Sequence, residues 1–177
     1  MLFTWTGNPW VDEGIASILE WCNKRHPQQI DKNDIANINS QLQRLYLTDA
    51  WRTNLYSVFP NHPVTQSFGI KTNDIPEGQR IVNLKKLRER QAEEFKRLLL
   101  EMIENFSPLT EAGNCIACGR RNTRTQRNRT QIPLTGYEGS HFFSFKTDGA
   151  DYCDVCAFAV QCFPLLCYVC GKLLFLH

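Results

Sequence analysis

The sequence predicts an α+β fold, with a mainly helical amino-terminal region over residues 1–107 and a cysteine-rich module over residues 108–177. Apolar residues recur three and four positions apart through most of the first region, which is the spacing of a helix face. Seven of the eight cysteines fall between Cys115 and Cys170, whereas Cys22 stands alone. Eleven Phe, four Trp and five Tyr supply enough apolar area for a core, which argues against wholesale disorder.

Three helices are expected in the first sixty residues. Asn8 followed by Pro9 is a helix start signal, because asparagine caps helices and proline suits the first helical position. We expect the second helix to begin at about Asp31 and the third to follow Thr48. The Pro-Asn-His-Pro segment at 60–63 ends the third helix.

A long helix is expected from about Gln79 to Phe106. Its apolar residues at helical spacing are Leu84, Leu87, Phe95, Leu98, Met102 and Ile103. The charged residues between them are interpreted as a solvated face with ion pairs four residues apart. The preceding segment, 64–78, reads as a loop whose only strand candidate is a short one around residues 68–71.

Three CxxC pairs predict a metal site: Cys115 with Cys118, Cys153 with Cys156, and Cys167 with Cys170. Two residues between cysteines let a tight turn direct both thiolates at one ion, and two such turns complete a tetrahedral site. Zinc (Zn2+) is the default metal for four thiolates, and iron is the alternative. A closed four-thiolate site indicates a structural metal, so the module is expected to be zinc-ribbon-like.

Which pairs combine is open from spacing alone. We favour Cys115, Cys118, Cys153 and Cys156 as the ligands, because the third pair lies among apolar residues suited to buried thiols. The alternative combines Cys153 and Cys156 with the third pair across a short turn. Disulfides and a thioredoxin-like redox motif are less suitable explanations, because there is no secretory signal and no βαβ pattern around any pair.

A basic loop lies between the first two pairs, over residues 119–131. It holds five arginines and no acidic residue although the whole chain carries a net charge of only +2, and its cations are Arg120, Arg121, Arg124, Arg127 and Arg129. We expect a mobile cationic arm that binds nucleic acid, because arginine forms bidentate contacts with phosphates and guanine edges. The alternatives are a soluble linker and a loop that docks an acidic protein partner.

The sequence shows no catalytic constellation, so we expect a protein that is not an enzyme. None of the four histidines has a nucleophile or carboxylate partner recognisable in sequence, and no phosphate-binding glycine loop occurs. The apolar tail from residue 152 onward contains charges and a proline, and is not a clean run of about 20 apolar residues that could span a membrane. We therefore expect a cytoplasmic protein.

Several motifs resemble a known family. They are Thr6-Gly7-Asn8-Pro9-Trp10-Val11-Asp12 with Gly14, Phe59-Pro60-Asn61, Cys115-Ile116-Ala117-Cys118-Gly119 and Cys153-Asp154-Val155-Cys156. In this order they resemble the large subunits of type I-B CRISPR Cascade complexes, the branch named for its CXXC-CXXC region. Family members are longer, so the resemblance implies that this chain is an amino-terminal portion, truncated at its carboxy end.

The resemblance implies a non-catalytic subunit of an RNA-guided surveillance complex for antiviral defence or RNA-guided transposition. Such a subunit helps to read the protospacer-adjacent motif on duplex DNA, while guide pairing reads the target sequence. Its implied partners are guide RNA, double-stranded target DNA and the handle-binding and backbone subunits, with a helicase-nuclease or transposition proteins acting later. The Gly7-Asn8 turn and the Asn61 region are weaker candidates for contacts with DNA or a neighbouring subunit. The alternative hypothesis is a zinc-stabilised module whose basic loop docks an acidic protein.

Overall fold

Helices make up most of the regular structure in the computed structural model, which describes residues 1–59, 61–127, 131–132, 150–170 and 173–175. The α-helices are Pro9–Trp21 (α1), Lys32–Tyr46 (α2), Asp49–Val58 (α3), Glu77–Glu104 (α4) and Asp154–Cys162 (α5). Short 3₁₀ turns occupy Pro27–Gln29 and Phe163–Leu166, and two strands, Tyr168–Cys170 (β1) and Leu173–Phe175 (β2), pair antiparallel.

The three expected amino-terminal helices are confirmed, and their caps explain where they begin. The Asn8 side chain accepts hydrogen bonds from the first turn of α1, and Pro9 occupies its first position. Asp31 caps α2 in a capping box with Asp34, and Thr48 caps α3. Each cap satisfies backbone N–H groups that have no partner within the helix, so short-range sequence alone sets these starts.

The long helix α4 is also confirmed, with bounds two residues earlier than expected. All of its buried residues lie in its second half: Gln91, Phe95, Leu98, Leu99 and Met102. Leu84 and Leu87, expected on the core face, are only half-buried. The first half of α4 therefore extends beyond the core.

Helix α5 is the centre of the core, and all nine of its residues are buried. It packs against α1 and α4. The contact with α1 depends on Gly14, because a Cβ at that position would lie 1.8 Å from the carbonyl oxygen of Ala159. Residues from both predicted domains thus form one core cluster. The boundary at residue 107 stays a prediction.

The predicted α+β class is not supported, because the described residues are mainly helical and their strands form only one short hairpin. The second CxxC pair begins α5 instead of lying in the expected tight turn, since Cys153 caps this helix and all nine of its residues are buried. The zinc-ribbon-like description is accordingly not confirmed. The segment 64–78 is irregular as expected, and its strand candidate at 68–71 is not a strand: Phe68 and Gly69 adopt left-handed backbone conformations, with φ of 50° and 73°, that belong to a turn.

None of the helices in the described part of the chain is both long and apolar enough to cross a membrane.

Candidate metal centre

The first cysteine pair lies in a tight turn that ends at Gly119. The Gly119 amide donates to the carbonyl oxygen of Cys115 at 2.8 Å, and Gly119 has a φ of +60°, which glycine adopts without strain. The turn is held at its base, where the Cys115 amide donates to the carbonyl of Arg121 at 3.1 Å. These bonds leave the Cys115 and Cys118 thiols on one side of the turn, facing the second pair.

The second pair lies at the amino end of α5. Cys153 is the cap of this helix, and its sulfur accepts a hydrogen bond from the amide of Cys156 at 3.5 Å. The amide of Cys153 in turn donates to the Cys115 sulfur at 3.3 Å. A helix amino terminus favours negative charge, so this position suits thiolates.

The structure brings together the four cysteines that the sequence analysis favoured as ligands. One sulfur from each of Cys115, Cys118, Cys153 and Cys156 lies within 4.8 Å of all the others, and the Cys118 and Cys153 sulfurs are 4.0 Å apart. Zinc–sulfur bonds of about 2.3 Å in a tetrahedron place the sulfurs about 3.8 Å apart, so this cluster needs only a small contraction to hold zinc. The donor set fits the metal, and we call these residues the cysteine cluster.

The protonation of the cluster favours a thiolate at Cys118. Hydrogen bonds from Cys115, then from Cys153 and Cys156, lower the pKa of Cys118 far below that of an ordinary thiol. The pKa of Cys156 is raised, mainly by its hydrogen bonds with Cys115 and Cys118. Against an opposing hydrogen bond with Cys118, the hydrogen bonds from Cys153 and Cys156 also lower the pKa of Cys115, to about 6. The first cysteine pair is thus the readier to lose its protons, and binding of a metal ion requires that the ligand thiols do so.

The other described cysteines lie outside the cluster. The Cys167 thiol donates to the carbonyl of Phe163 at 3.4 Å, and the buried Cys162 thiol donates to that of Phe158 at the same distance. Burial, followed by the field of Glu13, raises the pKa of Cys167 to about 11, as expected for a thiol in an apolar setting. The side chain of Cys170 lies outside the described residues.

Two of the five arginines predicted to bind nucleic acid are buried. Arg121 is 1% exposed and donates to the carbonyl oxygens of Ser107 at 2.8 Å and Leu2 at 2.5 Å. Arg127 is equally buried and forms an ion pair with Asp154, the residue after Cys153. In this conformation both guanidinium groups hold the fold together, which differs from the mobile arm that was expected.

Arg127 also closes the base of the segment between the two cysteine pairs. Its amide donates to the carbonyl of Ala150 and its carbonyl accepts from the Ala150 amide, both at 2.8 Å. Burial raises the pKa of Asp154, and the charge of Arg127 opposes that rise. The ion pair therefore compensates a buried carboxylate directly beside the cysteine cluster.

The cations left at the surface near the cluster are Arg120 and Arg124. Arg120 is exposed, and the Arg124 side chain, about half exposed, lies 4.0 Å from Glu101 and 3.9 Å from Asp154. Arg129 lies outside the described residues. The prediction that this segment binds nucleic acid is untested, and among described residues Arg120 and Arg124 are its accessible members.

The amino-terminal motif is tied to the cluster by a bond that the sequence does not reveal. Asn8 caps α1 with its oxygen, while its Nδ2 donates to the hydroxyl of Tyr152 at 3.1 Å, one residue before Cys153. Asp12 accepts from the amides of Thr6 and Gly7, each at 2.8 Å. Gly7 and Asn8 therefore have structural roles in a turn and a helix cap, and their weaker candidacy for contacts with DNA stays a prediction.

A buried histidine was missed altogether. His62, fully buried, accepts from the Val64 amide at Nδ1 and so donates from Nε2 to Gln161 at 2.8 Å. The Nε2 of Gln161 in turn donates to the carbonyl of Gln131 at 2.6 Å. The signal available in sequence was Gln161 itself, because one polar residue in an apolar helix indicates a buried hydrogen bond.

Residues 108–168 match a family described as CRISPR-associated protein (Cas_CXXC_CXXC). The matched segment contains all four residues of the cysteine cluster, so the resemblance to the CXXC-CXXC family is confirmed for this third of the chain; the match does not extend to the motifs at residues 6–14 and 59–61. The match does not specify a subtype. No curated protein and no solved structure matches the chain.

Proposed function

We propose that this chain is a member of the CXXC-CXXC family of CRISPR-associated proteins and a non-catalytic nucleic-acid-binding subunit of an RNA-guided surveillance complex. The finer proposal is the large subunit of a type I-B Cascade, helping to recognise the protospacer-adjacent motif in antiviral defence or RNA-guided transposition. Its partners would be guide RNA, duplex target DNA and the other Cas components of that complex.

The observation that carries the proposal is the cysteine cluster at the base of the basic segment. Cys115, Cys118, Cys153 and Cys156 would hold a structural zinc ion, which cross-links the turn before this segment to helix α5 after it. Four thiolates fill a tetrahedral shell, so such a site offers no open position for catalysis. The metal would supply rigidity, and the chain's own residues would make the contacts with nucleic acid.

Arg120 and Arg124 are the described cations of this segment whose side chains are exposed to a phosphate, and Arg124 also lies 3.9 Å from the carboxylate of Asp154. The two buried arginines hold the same segment against the core. Arg121 joins it to Leu2 and Ser107, and Arg127 joins it to Asp154. We infer that the buried arginines position the segment, while the exposed ones bind the phosphate backbone.

The metal assignment is tested by measuring bound zinc in the purified full chain. We expect one zinc ion per chain, loss of zinc in Cys115→Ser, and retention in the matched control Cys167→Ser. Zinc lost from Cys167→Ser but kept by Cys115→Ser would overturn the ligand assignment.

The function is tested by the affinity of the same chain for duplex DNA and for guide RNA over a series of salt concentrations. An Arg120→Ala, Arg124→Ala double variant should bind more weakly and with a shallower salt dependence. Fewer phosphates are neutralised in that complex, so fewer counterions are released when it forms. Absence of any binding by the wild-type chain would contradict the proposal. Reproducible DNA cleavage by the pure chain with added magnesium would contradict its non-catalytic part.

A further inference from the structure

The first half of α4, residues 77–90, is the most prominent charged feature outside the cysteine cluster. None of these residues is buried, and the first buried residue of the helix is Gln91. At 1.5 Å per residue this half extends about 21 Å beyond the core, or nearly four turns. We call residues 77–90 the projecting half of α4.

Charge is divided unequally between the two halves of this helix. The projecting half holds five Lys or Arg residues against two Glu, whereas residues 91–104 hold two against four. In the second half Arg97 pairs with both Glu94 and Glu101, whereas Glu93 and Glu104 form no ion pair with a described residue. In the part of the chain that the structure describes, Arg80, Lys85 and Lys86 form no ion pair.

The projecting half is braced on one side by the preceding loop. The Nε2 of Gln91 donates to the carbonyl of Gln66 at 2.9 Å, and the Nδ2 of Asn83 donates to that of Lys71 at 2.8 Å. Between these bonds the guanidinium of Arg90 lies over the Phe68 ring, 5.8 Å from its centroid. The helix is thus held in a fixed direction although it has no buried face of its own.

The open side carries a mixed basic and apolar surface. Ile81 and Val82 are 63% and 51% exposed, and Lys85 and Lys86 follow them one helical turn later, on the same side. Two acids share this side, Glu77 four residues before Ile81 and Glu89 four residues after Lys85. A face that only meets solvent needs no exposed apolar residues, whereas this one exposes both Ile81 and Val82. The surface therefore fits a binding role better.

We propose that the projecting half of α4 enters the major groove of duplex DNA, with Ile81 and Val82 toward the base edges and Arg80, Lys85 and Lys86 on the flanking phosphates. The inference rests on the proposed nucleic-acid-binding function. A B-form major groove admits an α-helix, and the amino-terminal residues of an inserted helix are the ones that meet base edges. Apolar side chains there contact thymine methyl groups, and unpaired lysines suit phosphates. The major groove of A-form RNA is too narrow to admit a helix in this way.

The test is the affinity of the full chain for a fluorescein-labelled 20-base-pair DNA duplex, measured over a salt series. In Lys85→Ala, Lys86→Ala we expect about tenfold weaker binding near physiological salt. The slope of log affinity against log salt should become shallower by about 2, because two phosphate contacts are lost. The matched control Lys32→Ala, Lys96→Ala removes two exposed lysines elsewhere and should leave both quantities unchanged.

A second variant tests the groove itself. Ile81→Ser, Val82→Ser should weaken binding at least threefold with no change in salt slope, since it removes no charge. Circular dichroism should show the same helix content in every variant, because none of the changed residues is buried.

The outcomes separate this inference from the proposed function. If the wild-type chain binds no duplex, the DNA-binding part of the proposed function fails, and this inference fails with it. If it binds but Lys85→Ala, Lys86→Ala matches the control, the inference alone is overturned, and an acidic protein becomes the partner to test for this surface. Unchanged binding by Ile81→Ser, Val82→Ser would overturn the insertion into the groove.

Discussion

The helical region, residues 1–107, and the cysteine-rich region that follows are stabilised in different ways. Helices α1 to α3 begin where Asn8, Asp31 and Thr48 cap them, so their local sequence is sufficient to place them. The cysteine-rich region depends on contacts between residues far apart in the chain, such as Arg127 with Asp154. The contrast teaches that arginines in a polar segment cannot be assigned to the surface by composition, because two of the four described here are core residues.

The largest effect should come from leaving a charge buried in the cysteine-rich region. Arg127→Met removes the buried partner of Asp154, which keeps only the half-exposed Arg124 at 3.9 Å, and should lower the free energy of unfolding by about 3–5 kcal/mol, as for other buried pairs that lose one member. Urea unfolding measures the change. Arg124→Met, at an exposed position, is the control and should cost less than about 1 kcal/mol. If the two variants lost similar amounts of unfolding free energy, the buried pair of Arg127 and Asp154 would contribute no more to stability than an exposed one.

The contact between the two regions is tested at Gly14. Gly14→Ala forces a Cβ against the Ala159 carbonyl, so α1 and α5 must separate, and we expect a loss of about 3 kcal/mol in the free energy of unfolding. Gly78→Ala, where a Cβ meets nothing, is the matched control and should be neutral or stabilising. Equal stability of the two variants would show that the close approach is absent.

The third prediction concerns pH and the buried histidine that links the regions. Burial lowers the pKa of His62 from 6.5 to about 4. Between these values the unfolded chain binds more protons than the folded chain, so stability is complete above about pH 6.5 and falls as the pH drops towards 4. The loss attributable to His62 is about 3 kcal/mol. The difference between wild type and His62→Gln in urea unfolding at pH 7 and pH 4.5 isolates this contribution. An equal pH dependence in both proteins would contradict it.

The smallest effect should be at Asn8, which serves both regions. Asn8→Ala removes the cap of α1 and the bond to Tyr152, and should cost about 1–2 kcal/mol. Asn8→Asp keeps a capping oxygen but cannot donate to Tyr152, so its cost should be smaller. Thermal unfolding of both variants, compared with wild type, separates the two contributions. If Asn8→Asp were as unstable as Asn8→Ala, the cap would contribute nothing measurable.

The sequence was sufficient for the features that depend on neighbouring residues. Caps, helix periodicity and CxxC spacing predicted α1 to α4 and the residues that form the cysteine cluster. Helix α5 was not foreseen, because a short, almost entirely apolar run has no periodicity that distinguishes a helix from a strand. The buried states of Arg121 and Arg127 were also beyond reach, since their partners Leu2, Ser107 and Asp154 are remote in sequence.

The pairing of Arg127 with Ala150 has a consequence for how this region can vary. The bridge places residues 127 and 150 side by side, and between them Ile132 is buried in the core and the Gln131 carbonyl accepts from Gln161. Lengthening the chain between two residues that already meet costs little, about 0.6 kcal/mol of closure entropy for each doubling. A change of length between residues 133 and 149 should therefore leave the geometry of the cysteine cluster in place, as long as these contacts are kept.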